Sequence, residues 1–152
     1  MPTLPLDRAA ARGLPILLPN PDAPRLALPL FASPVRCGFP SPADDYLDAR
    51  LDLNQYLVED VPATFMIRVQ GDSMIGAHLV DGDVLVVDKG RQPCVGDIVV
   101  AAVDGEFTVK RLARRGSRFY LHPENPAYPP IVPADGQELL IWGVVVGSVR
   151  KF

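Results

Sequence analysis

Histidine, cysteine and tryptophan are scarce in this chain: its 152 residues hold two His, two Cys and one Trp. His78, His122, Cys37 and Cys94 lie too far apart in sequence to show metal-ligand spacing, so no metal site is expected. Neither histidine has a carboxylate at a spacing that argues for a His-based triad, and both read as ordinary surface or half-buried residues. No cofactor is expected either, because Gly71, Gly76 and Gly82 match no phosphate-binding fingerprint. Long apolar runs are also missing. The longest, Leu139 to Gly147, is about half the length that crosses a bilayer. The start carries Asp7, Arg8 and Arg12 and no apolar h-region, so a cytoplasmic location with reduced thiols is expected. Positive charge is not in surplus: 15 Lys and Arg face 18 Asp and Glu, for a net charge of −3. Such a balance offers no general footprint for a nucleic-acid backbone. The densest basic patch, Lys110, Arg111, Arg114 and Arg115, reads as a solvated strand end and turn.

Proline is what the chain has in excess, with 17 residues. Ten of them, from Pro2 to Pro42, precede residue 45. Each removes a backbone donor and restricts the residue before it, which excludes a helix bundle there. Residues 1 to about 45 therefore read as an extended arm, with Leu28, Leu30 and Phe31 apolar enough to favour docking. From Asp44 to Val58 the spacing of Leu47, Leu51 and Val58 predicts one short helix, capped by Asp44 or Asp45. After Pro62 the pattern is that of strands: Phe65 to Val69, Val84 to Val87, Ile98 to Val103, Phe107 to Leu112, Phe119 to Leu121 and Leu139 to Val149. Asp104-Gly105 suits a type I′ hairpin turn. The expected fold is one mainly β domain preceded by the arm.

Three features could carry chemistry. Gly71-Asp72-Ser73-Met74 follows directly on a strand, where a turn can lift Ser73 out of the sheet and aim backbone N–H groups at one point. Taken alone, Gly-Asp-Ser is a common turn, and Ser73 could simply cap a short helix. Lys110 lies within a strand, on the face it shares with Thr108 and Leu112. Burial there would lower its pKa, and a neutral amine is a competent general base for a serine. Alone, it could equally snorkel off an edge strand. Cys37 sits in the arm with no base nearby in sequence, and Cys37-Gly38 suits a bond to be cut better than a catalytic thiol.

Together these residues resemble a known family. Cys37-Gly38-Phe39-Pro40-Ser41-Pro42, Asp52-Leu53-Asn54-Gln55, Gly71-Asp72-Ser73-Met74, Asp81-Gly82-Asp83, Gly96-Asp97-Ile98-Val99 and the run from Ala101 to Lys110 are similar to the LexA/UmuD-type serine autoproteases. The resemblance spans about residue 28 to the end. It implies a compact, curved β body with an extended N-terminal arm, and a Ser–Lys dyad of Ser73 and Lys110. Self-cleavage between Cys37 and Gly38, stimulated by a RecA–single-stranded-DNA filament, would separate an arm of residues 1–37 from a peptidase-like domain of residues 38–152. Main-chain N–H groups near Asp72 and Ser73 would hold the oxyanion. The product is implied to be a homodimer that joins a UmuC-type polymerase in error-prone synthesis past DNA damage. The proline-rich residues before Cys37 are not expected to house the helix-turn-helix reader of a LexA-type repressor. A type I signal peptidase, which also uses Ser and Lys, would need a membrane anchor. The competing reading of another class is a non-catalytic polymerase-binding module with a vestigial dyad.

Overall fold

The computed structural model describes residues 16–31, 37, 38 and 47–152. They fall into two compact units, Asn20–Glu59 and a larger unit of residues 16–19 with Asp60–Phe152. Most of the predicted arm and both predicted caps, Asp44 and Asp45, lie outside the described residues.

In the smaller unit, β1 (Ala27–Phe31) pairs antiparallel with β2 (Leu47–Asp52), and the one-turn helix α1 (Leu53–Leu57) follows. The helix expected from Asp44 to Val58 is therefore corrected: among the described residues Leu47–Asp52 is a strand and only Leu53–Leu57 is helical. Leu47 and Leu51 are four residues apart, a spacing that fits one helix face and one strand face equally well. Asp52 separates the two conformations. Its carboxylate accepts N–H bonds from Asn54 and Gln55 at the helix start and from Leu26 ahead of β1. The backbone N–H of Leu26 is the main cause that lowers the pKa of Asp52. Leu28 and Leu30 remain exposed on β1.

The larger unit is built on a six-stranded antiparallel sheet in the order β3-β4-β8-β5-β6-β7. Its strands are β3 (Thr64–Arg68), β4 (Val84–Asp88), β5 (Ile98–Val103), β6 (Glu106–Arg115), β7 (Arg118–His122) and β8 (Leu139–Val149). Leu17 and Met66 exchange backbone hydrogen bonds of 2.8 and 2.7 Å, so part of the proline-rich start docks on β3 as a bridge. The β5–β6 turn has positive φ at both Asp104 (49°) and Gly105 (87°), as a primed turn requires.

Four successive residues of β5, Val99 to Ala102, are buried, which explains their uninterrupted apolar run. Val100 joins a cluster with Phe65, Ile67, Met74, Leu79 and Trp142. Val99 and Ala101 join a second cluster with Leu112, Leu121 and Ile141. Trp142 packs against Phe65 and Phe107 with ring centroids 4.2 and 5.3 Å away. Burying each such side chain contributes roughly 1.5–3 kcal/mol. Gly143 is needed where β8 runs beside its neighbour β4, because a Cβ there would fall 2.6 Å from Val87 Cγ1.

Candidate active site

Ser73 belongs to a loop that leaves β3 and returns to β4. Bonds from Val69 N–H to Asp83 O (2.8 Å) and from Gly82 N–H to Val69 O (2.9 Å) close its base. Gly71 adopts φ of 89°, a value that L side chains rarely take, and its N–H donates to the Asp81 carboxylate at 2.7 Å. Arg150, just past β8, fixes the far side by pairing with Asp83 at 2.6 Å and donating to His78 O at 2.9 Å. That pairing holds the buried Asp83 carboxyl down at about 2. Ser73 caps nothing: the 3₁₀ turn Ile75–Ala77 has Met74 at its cap position, with no side-chain cap bond.

Instead, Ser73 Oγ lies 2.8 Å from Lys110 Nζ. Lys110 is only 8% exposed, and burial lowers its pKa below the ordinary lysine value. Its amine has two further partners, Thr108 Oγ1 at 2.8 Å and Val109 O at 3.0 Å. A neutral amine offers two N–H donors and one lone pair. Donation to Thr108 and Val109 leaves that lone pair for the Ser73 hydroxyl proton. The expected solvated patch is thereby split: Arg114 and Arg115 are exposed at the strand end, Arg111 pairs with Glu124, and Lys110 is buried.

A cleft of about 330 Å³ opens beside the pair. Apolar side chains of Ile67, Val69, Met74, Leu79, Val100 and Phe107 line much of it. Among the described residues, no protein acceptor meets the backbone N–H of Asp72 or Ser73. Cys37 and Gly38 form an exposed bend in the smaller unit, and a Cβ on Gly38 would meet nothing within 4 Å. Both cysteines carry free thiols. His78 and His122 are exposed and neither hydrogen-bonds to Ser73. Among the described residues, no helix is long and apolar enough to cross a membrane.

Sequence reasoning missed the loop from Glu124 to Tyr128. Its residues meet Asp72 and Ser73 through the hydrogen bonds of Glu124, Asn125 and Tyr128. The local signal there, Asn125-Pro126 after Pro123, announces a turn and says nothing of its distant partner.

A family model described as Peptidase S24-like matches residues 29–146, a span that includes Cys37, Gly38, Ser73 and Lys110. The protein SamA of Salmonella typhimurium is 46% identical over 136 residues, which cover 90% of this chain and 94% of SamA. MucA of Salmonella typhimurium is 42% identical over 124 residues, covering 81% of this chain and 84% of MucA. LexA repressor 2 of Pseudomonas syringae is 40% identical over 141 residues, 93% of this chain and 69% of the repressor. The sheet, the paired serine and lysine and these matches agree with the resemblance to the LexA/UmuD type, and the chain belongs to the Peptidase S24-like family.

Proposed function

We propose that this chain is a self-cleaving serine protease that cuts its own Cys37–Gly38 bond, with Ser73 as nucleophile and Lys110 as general base. The observation that carries this reading is the 2.8 Å contact between Lys110 Nζ and Ser73 Oγ at a buried amine. In the first step Lys110 takes the hydroxyl proton and Ser73 Oγ bonds to the Cys37 carbonyl carbon. The backbone N–H groups of Asp72 and Ser73 receive the charge that develops on the carbonyl oxygen. Collapse breaks the C–N bond, and Lys110 returns the proton to the departing amine of Gly38. Lys110 then deprotonates a water that attacks the ester, freeing the Cys37 carboxylate and restoring the Ser73 hydroxyl.

The products are an arm of residues 1–37 and a domain of residues 38–152, or 152 − 37 = 115 residues. The resemblance to the UmuD type, to which SamA and MucA are similar, is the ground for proposing the domain as a homodimeric, cytoplasmic accessory subunit of a UmuC-type polymerase. The resemblance to the LexA/UmuD-type autoproteases is the ground for expecting stimulation by a RecA–single-stranded-DNA filament. The filament would favour the state with the arm in the cleft and need supply no catalytic group.

Incubation of the purified chain at about pH 9–10, where an ordinary lysine begins to lose its proton, should release a product whose first residue is Gly38. Ser73→Ala and Lys110→Ala should each abolish the cut, and Gly38→Asp should block it as a substrate defect. An intact chain after long incubation, with and without RecA filaments and ATP, would sink the protease reading.

A further inference from the structure

The turn that carries Ser73 is held from outside by a second loop. Glu124 N–H donates to the Ser73 carbonyl at 2.9 Å, and Gly76 N–H donates to the Glu124 carbonyl at 2.7 Å. Asn125 Nδ2 donates to the Asp72 carbonyl at 3.1 Å, and the Tyr128 hydroxyl donates to Asp72 Oδ1. Four bonds thus reach Asp72, Ser73 and Gly76 from one short stretch. Gly76 permits this approach, since a Cβ there would fall 2.5 Å from Glu124 O.

The second loop is itself fixed. Asn125 Oδ1 accepts from Ala127 N–H at 2.9 Å, and Tyr128 N–H donates to Asn125 O at 3.1 Å. Glu124 pairs through its carboxylate with Arg111 Nε, and Arg111 is the neighbour of Lys110 on β6. A short chain of contacts therefore joins the strand of the lysine to the turn of the serine: Arg111 to Glu124, and Glu124 to Ser73.

We propose that Tyr128 and Asn125 are positioning residues that hold Asp72, and through it the Ser73 hydroxyl, in register with Lys110. This rests on the reading of Ser73 and Lys110 as nucleophile and base. Neither residue hydrogen-bonds to Ser73 Oγ or Lys110 Nζ; Asn125 holds the carbonyl and Tyr128 the carboxylate of Asp72, the residue immediately before the nucleophile. The Asp72 carboxylate raises the pKa of the Tyr128 hydroxyl, as sharing its proton with an anion must. Position matters here because a displacement of about 1 Å at a reacting atom can slow a reaction on the order of a hundredfold. Stability is a separate matter: Tyr128 is 41% exposed, and an exposed hydrogen bond adds little to it.

The test follows self-cleavage of the full chain against pH, alongside thermal unfolding. Tyr128→Phe and Asn125→Ala should each lower the plateau rate on the order of tenfold, while Tm and the pH midpoint set by Lys110 stay at the wild-type values. Asp72→Asn keeps an acceptor for the Tyr128 hydroxyl and should retain most of the rate, whereas Asp72→Ala should lose it. Tyr128→Phe combined with Asp72→Ala should be no slower than Asp72→Ala alone. A wild-type rate in Tyr128→Phe, additive losses in the double variant, or a fall in Tm that accounts for the lost rate would each overturn the positioning role. If the wild-type chain cuts and only these variants fail to slow it, the nucleophile and base assignments stand. If the wild-type chain does not cut at all, those assignments fall and the positioning role falls with them.

Discussion

Thr108 Oγ1 lies 2.8 Å from Lys110 Nζ, the same distance that separates Nζ from Ser73 Oγ. With the Val109 carbonyl, Thr108 occupies the donors of a neutral amine and turns its lone pair toward the serine. Thr108→Val keeps the shape and removes the acceptor. Self-cleavage should slow roughly 3–10-fold, the worth of about one ordinary hydrogen bond, and Thr108→Ser should restore it. Equal rates in all three proteins would show that the threonine has no part in orienting the amine.

Burial lowers the pKa of Lys110, and this has a sign for both rate and stability. The rate should rise as pH passes through the lowered value and level off before the ordinary lysine pKa of 10.5. In the same interval the unfolded chain binds more protons than the folded one, so stability also rises with pH. Below the lowered value the buried ammonium burdens the fold. Lys110→Met, which cannot cut, should therefore melt higher than wild type at neutral pH, and the gap should close as pH approaches 10.5. Melting curves recorded across that range decide it; a variant that melts lower at every pH contradicts the account.

The Asp83–Arg150 pair predicts acid behaviour at the base of the Ser73 loop. The folded Asp83 carboxyl sits at about 2 against an ordinary 3.8, mainly because of the hydrogen bond from Arg150. Its contribution is whole above 3.8 and is lost as pH falls through about 2. Asp83→Asn should cost roughly 1–3 kcal/mol at neutral pH and should flatten the loss of stability in that acid window. Denaturant titrations of both proteins at pH values on either side of the window provide the measurement.

Gly143 marks a place between β8 and β4 with no room for a methyl group, since its Cβ would meet both Val87 Cγ1 (2.6 Å) and Asp88 O (3.1 Å). Gly143→Ala should destabilise by about 1–3 kcal/mol through overpacking. Unfolding of the variant at the wild-type denaturant midpoint would show that β8 and β4 have room there after all.

Much of this molecule is readable in its residues, within physical limits. The Asp104-Gly105 turn and the apolar runs announce strands because their signals are local. Strand order is not local: β8 is last in the chain yet lies between β4 and β5, and nothing in Leu139–Val149 names its neighbours. The predicted helix failed where a spacing of four residues serves two periodicities, and Asp52, not a residue near Asp44, is where the backbone changes. Ser73 and Lys110 were visible as a turn and a strand residue, and their contact bridges 37 positions. Asn125 and Tyr128 were invisible as partners of Asp72, which lies 53 and 56 positions away.

The contact between Lys110 and Ser73 is already made in the intact chain. On the proposed reading, a nucleophile and base engaged at rest leave no assembly step to wait for. The interval before cutting is then set by the fraction of time that Cys37–Gly38 occupies the cleft and by the rate at which the engaged pair cuts it there. Each molecule behaves as a timer that fires once, and the uncut population should decay as a single exponential with no initial lag. A stimulating filament would shorten the mean interval without altering the shape of that decay.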